Sequence, residues 1–264
     1  MKKTISCSLF ALSALGLLVE LCQTLWGFEA GTGLPRFGNL FLLPVLGLLV
    51  VWALLTRRLP GDDSPIFPVD FAMEKTGLLV PVAGAFLVAL SGFLWLYYGL
   101  LPTGMSALTG SGTMVAVVAT GGVSFRVMTL LGVLNLIIAA GLFPIVVSCL
   151  NREGRKPLPQ GLLVLPAVVL VVRLVLIYRV YSVDPVVAHY AVEVLALVCL
   201  TLSLYRLSGL ACGSGTTRRF ALYSGWAVIL SVATLADGHA IADLLFFLGS
   251  ALTVFGLLRP RLDA

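Results

Sequence analysis

Residues 160–179 read QGLLVLPAVVLVVRLVLIYR. Between the opening Gln160 and the closing Arg179 the stretch is apolar except for one charge, Arg173. About 20 apolar residues cross the hydrocarbon core of a bilayer as a helix, so this segment predicts a transmembrane span with a charge inside it. Seven further blocks follow the same reading. The predicted spans are 5–26, 37–56, 77–99, 126–150, 160–179, 186–206, 219–236 and 239–258. The blocks are continuous rather than alternating, which excludes a β-barrel. The fold class is all-α, a polytopic transmembrane helix bundle of about eight spans, and residues 1–264 are read as a single membrane domain because no loop is long enough to fold alone.

Composition leads to the same place. The chain is 59% hydrophobic and 11% charged, against roughly 25% charged in a soluble domain, and such a sequence could not cover a water-facing surface. Its mean hydropathy is +1.07. The net charge of +5 does not indicate nucleic acid, because the basic residues lie in short loops between apolar blocks. Cys7, Cys22, Cys149, Cys199 and Cys212 have no CxxC spacing and are read as small buried hydrophobes or loop residues.

Placement of Lys and Arg sets the orientation. With the N-terminus inside, the cytoplasmic segments hold Lys2, Lys3, Arg57, Arg58, Lys75, Arg152, Arg155, Lys156, Arg206, Arg218, Arg219, Arg259 and Arg261, which is 13 of the 17 basic residues. Arg36, Arg126, Arg173 and Arg179 fall on the other side. Both termini are therefore expected in the cytoplasm, with the plasma membrane as the location. The uncharged stretch 100–125 is expected to be an outer loop, with a re-entrant turn as the alternative. A ninth span there would invert every later loop. The first block, preceded by Lys2 and Lys3, is expected to be an uncleaved helix rather than a signal peptide, because it is interrupted by Glu20 and Phe28 occupies the position a cleavage site needs small.

The loops carry little else. Three prolines keep residues 57–76, RRLPGDDSPIFPVDFAMEKT, from forming a regular helix, with a short interfacial turn expected at 69–75. No internal repeat is found. IYRVYS at 177–182 echoes LYRLSG at 204–209, but the two lie on opposite sides of the membrane. Trp26, Trp95, Tyr97, Tyr98, Tyr178 and Tyr181 are placed in an outer aromatic belt, and Trp52, Tyr205, Tyr223 and Trp226 in the inner part.

Charges within spans carry the functional signal, because each costs about 2.5–3.5 kcal/mol at a helix centre on the insertion scale. Glu20, Arg126, Arg173, Arg179, His189, Glu193, His239 and Asp243 all fall in the outer half, which predicts a polar vestibule open to the outside. Arg126 and Arg179 can snorkel to headgroups. Asp184 and Asp237 can cap helices. Arg173, Glu193 and Glu20 lack such duties, and an Arg173–Glu193 pair is expected between neighbouring antiparallel helices, with Glu20 as the alternative partner. Glu20 shares a face with Ser13, Gly16 and Thr24, small and polar residues suited to inward packing. His189 and Glu193 are i, i+4, as are His239 and Asp243, and each pair is expected on one helix face.

Three function classes are compatible with this pattern. The first is a transporter, or a membrane component of one, that binds a polar or charged small solute through Arg173, Glu193, Glu20, His189, His239 and Asp243. The second is an intramembrane metal-dependent hydrolase, in which the two His–carboxylate pairs hold zinc. The segment HAIAD at 239–243 resembles one motif of intramembrane CAAX-type proteases, but their paired-glutamate motif with a following arginine is missing, so the family's active site has no counterpart here. The third is a non-catalytic partner or assembly subunit whose buried charges fix helix packing. No cofactor is favoured, and the bilayer, a small solute and a membrane-protein partner are the expected contacts. No phosphate-binding loop is present, so energy for transport would come from an ion gradient or another protein.

Overall fold

The computed structural model describes residues 2–27, 42–59, 67, 69–73, 75–100, 125–150, 160–181, 190–213, 215–237 and 239–263. Among them the chain is all-helical, with no strand: α1 (Lys2–Trp26), α2 (Leu42–Thr56), α3 (Lys75–Leu100), α4 (Phe125–Ser148), α5 (Gln160–Tyr181), α6 (Ala191–Ala211), α7 (Thr217–Ala233) and α8 (Ile241–Asp263). All but α2 are long and apolar enough to cross a membrane. The predicted span 37–56 corresponds to α2, whose 15 residues rise about 22 Å, short of a hydrocarbon core of roughly 30 Å. Residues 37–41, like the proposed loop at 100–125 apart from its two end residues, lie outside the described residues. The predicted span 186–206 is shifted, since α6 runs from Ala191 to Ala211.

Burial of apolar surface does not drive helices together within lipid, so close backbone packing and interhelical hydrogen bonds must do it. The sequence supplies glycine where helices meet. α3 packs extensively on both α4 and α8. On the α8 side a Cβ at Gly84 would lie 2.5 Å from the Gly249 carbonyl, and one at Gly256 would lie 2.5 Å from Pro81. On the α4 side, Gly92 and Gly132 face one another's helix, and a Cβ at Gly99 would meet Thr129. Gly141 admits Pro166 of α5 in the same way. On the other flank Gly16 sets α1 against Ile229 and Ala233 of α7. The Trp52 indole seats against Gly225 and donates to the Ala221 carbonyl at 3.1 Å, fixing α2 on α7.

These contacts define two ends. α1 and α8 run antiparallel, with Phe10 stacked edge-on against Phe255, so the start of α1 and the end of α8 share one end of the bundle. There the expected interfacial turn appears as a short 3-10 turn at Val69–Phe71. Just after it the Met73 amide donates to the Cys149 carbonyl at 2.8 Å. Phe71 is buried against Phe220, with the Arg261 guanidinium 5.8 Å from its ring. The opposite end, away from both termini, holds the candidate residues.

Candidate functional site

Helix crossings bring polar groups from most of the bundle to one tier near that far end. Arg173 of α5 is the deepest charge and is fully buried, at 0% exposure. Its Nη2 donates to Asp243 Oδ1 of α8 at 2.7 Å, and its Nη1 donates to the Asn135 side-chain carbonyl of α4. The guanidinium stacks over the Phe246 ring, 3.8 Å from its centroid. Asn135 in turn donates to Ser91 at 2.9 Å, and the Trp95 indole donates to Asp243 Oδ1 at 3.1 Å, both from α3. A buried cation is tolerated only when paired and hydrogen-bonded, and this network of α3, α4, α5 and α8 meets that condition.

The expected Arg173–Glu193 pair is replaced by Arg173–Asp243. Helices α5 and α6 are neighbours as foreseen, but Arg173 faces α4 and α8 across the bundle. Four members of the network, Asn135, Ser91, Trp95 and Phe246, lie outside the sequence candidates. Asn135 is uncharged, and only its amide in the middle of a span marks it. Trp95, expected in the aromatic belt, is buried and bonded to Asp243. Phe246 reads from sequence as one more apolar residue. Tyr97, Tyr178 and Tyr205 are exposed, as belt residues should be, whereas Trp52 is buried. Arg126 and Arg179 have exposed side chains at helix ends, which suits headgroup contact.

A second group lies beside the first. Glu193, in the first turn of α6, is 1% exposed and Glu20 of α1 is 2% exposed. His239 Nε2 sits 3.4 Å from Asp237 Oδ2 and 3.7 Å from Glu193 Oε2, without a hydrogen bond to either. The Glu20 Oε2 is buried without a hydrogen-bond partner. Thr24, one turn beyond Glu20, donates to the Ala236 carbonyl at 3.4 Å, so α1 is held against the segment that carries Asp237. His239 lies before α8 begins, outside both adjoining spans. Burial works to lower its pKa. The approach of Asp237 and the charges of Glu193 and Asp243 outweigh that and raise it to about 9. His239 is therefore cationic near neutral pH.

Two expectations are corrected by this geometry. His239 and Asp243 do not share a helix face, since α8 starts at Ile241 and His239 belongs to the segment that leads into it. Among the described residues, the candidate charges within the spans are buried and do not line an open vestibule. Arg173, Glu193, Glu20 and Asp243 are buried, with Arg173 paired to Asp243 and Glu193 beside His239, because an ion that finds a partner inside the bundle avoids the cost of facing lipid. His189 lies outside the described residues. Among the described residues, no group of three or more His, Cys, Asp or Glu side chains is placed to hold a metal ion.

No family model, curated protein or solved structure matches the chain. What the tier can do is argued from its own chemistry. Arg173 has its guanidinium taken up by Asp243, Asn135 and Phe246. The Glu20, Asp237, Glu193 and His239 group has a different character, with acceptors in excess of donors, while Arg173 Nε, Glu20 Oε2 and His239 Nε2 are all buried without a hydrogen bond.

Proposed function

We propose that this multi-pass membrane protein binds a charged or polar solute at the tier near its far end, as a small transporter or the membrane component of one. Positive-inside placement of the basic loops puts that end outside, so the solute is taken from the exterior. One observation carries the reading. The buried carboxyl of Glu193 from α6 and the half-buried one of Asp237 before α8 flank a single histidine, and the buried Glu20 of α1 keeps an unpartnered oxygen. Ionisable groups kept inside a membrane despite their cost usually mark a pathway or site. The acidic excess favours a cationic partner over the anion that Arg173 alone would suggest.

The Arg173 network favours a structural role for that half of the tier, since both Nη donors of Arg173 already have partners. A metal-dependent hydrolase loses its geometric premise with the displacement of His239 from the face of Asp243. The test uses the purified full chain in nanodiscs, with thermal stability followed in the presence of inorganic cations, alkylammonium compounds and small carboxylates. Cationic solutes are expected to raise the melting temperature of the wild type and to leave the Glu20→Gln/Glu193→Gln variant unmoved. Stabilisation by none of the three groups would leave the assembly-subunit reading in its place.

A further inference from the structure

The end of the bundle that carries both termini holds a cation with no counterpart in the tier at the far end. We propose that the seam between α6 and α7 at this end binds an anionic phospholipid. Arg206 and Arg219 take its phosphate, and its acyl chains lie along the outward apolar faces of the two helices.

Arg206 stands close to the end of α6, and its Nε is buried without a hydrogen bond. Among the described residues no carboxylate pairs with it. Arg173, by contrast, has Asp243 as its partner. The Arg206 guanidinium lies instead against two rings, 5.6 Å from the centroid of Tyr223 on α7 and 6.0 Å from that of Tyr205. Aromatic faces orient a guanidinium and leave its charge and its N–H fork available. The cradle is itself fixed. Trp226 holds Tyr223 edge-on at 5.7 Å, and the Ser203 and Ser224 hydroxyls are hydrogen-bonded at 2.7 Å in the buried part of the same crossing.

Arg219 supplies a second positive charge. It precedes Tyr223 by four residues, so it shares that residue's face of α7 one turn nearer the helix start, and it is exposed. Two arginines on one seam call for an anion, and phosphate oxygens match the guanidinium fork. The surroundings select a lipid phosphate over a soluble one. Tyr205 is exposed, and toward the middle of the bilayer the outward faces continue with the half-buried Leu202 and Leu222. A soluble anion would use the arginines alone. A phospholipid uses both parts, because its headgroup sits at the level where Tyr and Trp collect and its chains run on past the leucines. On the expected orientation this is the cytoplasmic leaflet, where anionic lipids are held by basic pockets between spans.

Native mass spectrometry of the full chain in detergent, offered phosphatidylglycerol and phosphatidylcholine of equal chain length, tests the site. The wild type is expected to retain phosphatidylglycerol in preference. Arg206→Gln should weaken that retention about tenfold or more, through loss of a charge-assisted bond. Tyr223→Leu removes the ring under the guanidinium and no charge; it should lower the preference too, and it serves if Arg206→Gln fails to fold. Arg58→Gln, at an exposed arginine just after α2, should change nothing. Equal retention of the two lipids by the wild type overturns the proposal, and so does an unchanged preference in either seam variant that folds. An equal loss in Arg58→Gln overturns it as well, by reducing the effect to net charge. Displacement of phosphatidylglycerol by excess inorganic phosphate would name a soluble anion as the occupant and overturn it too. Every variant keeps Glu20, Glu193 and His239, so the outcome is independent of the solute reading.

Discussion

Replacing Asp243 by Ala strips Arg173 of its ion-pair partner while leaving the guanidinium buried. The cost can be worked from the contacts. The Nη2–Oδ1 bond at 2.7 Å is charge-assisted, a class worth about 1.5–3 kcal/mol, and the Trp95 indole loses its acceptor at the same oxygen. Breaking a buried pair by removing one partner costs about 3–5 kcal/mol in total, because an unpaired charge remains. Interhelical hydrogen bonds inside membranes average only about 0.6 kcal/mol, so a loss of this size would identify the pair and not an ordinary polar contact. Arg173→Met should cost a similar amount, since Asp243 is then the unpaired ion. The double variant, Arg173→Met with Asp243→Ala, should lose far less than the sum of the two. Unfolding of the full chain in detergent, followed by tryptophan fluorescence against increasing denaturing surfactant, gives the three values and their coupling energy. Additive losses, or single variants within about 0.6 kcal/mol of wild type, would show that the Arg173–Asp243 contact does not hold α5 to α8.

Three further outcomes follow from the same structure. His239 is raised from 6.5 to about 9, so its contribution to stability is complete below pH 6.5 and disappears as pH rises through about 9. At about 1.4 kcal/mol for each pKa unit it amounts to roughly 3.5 kcal/mol at most, and His239→Gln should flatten the melting-temperature profile across that window; an unchanged profile in the variant refutes the assignment. Gly84→Val places a Cβ 2.5 Å from the Gly249 carbonyl and should cost at least the 1–3 kcal/mol typical of overpacking, whereas Gly47→Ala, with nothing within 4 Å, should leave the melting temperature unchanged; equal effects would deny the tight α3–α8 seam. In a background without native cysteines, single cysteines at positions 109 and 184 should react with an impermeant reagent in intact cells and one at 154 should not, and labelling at 154 but not 184 would reverse the orientation.

The membrane bundle was legible because the bilayer imposes a length and a polarity on every span, and continuous blocks such as 160–179 satisfy both. Charge inside spans was equally legible, since Glu20, Arg173 and Glu193 have no apolar substitute reading. The partners were not. A span's sequence gives the depth of Arg173 but not its azimuth, and azimuth is set by the glycine contacts that bring α4 and α8 around it. Asn135 and Trp95 illustrate the remaining gap. Each belongs to a residue type with an ordinary duty in a membrane helix, and only the meeting of four helices turns them into partners of one ion pair. His239 shows the opposite limit, since i, i+4 spacing predicts a shared face with Asp243 only where the helix is continuous, and α8 begins two residues after His239.

The glycine seam between α3 and α8 restricts how such a protein could move. Sliding one helix along the other by a turn would set Leu245 or Thr253 where Gly249 now sits, and neither side chain fits against the Gly84 backbone. Shear is therefore closed at this interface, and Gly132 of α4 with Gly92 and Gly99 of α3 closes it on the other side of α3. Helices α3, α4 and α8 form a frame of fixed register that carries Trp95, Asn135 and Asp243 as one unit. Helix α1 has no such lock on the frame. It brings Glu20 to the tier along a shallow seam on α7, so rocking of α1 is the motion that this architecture leaves free.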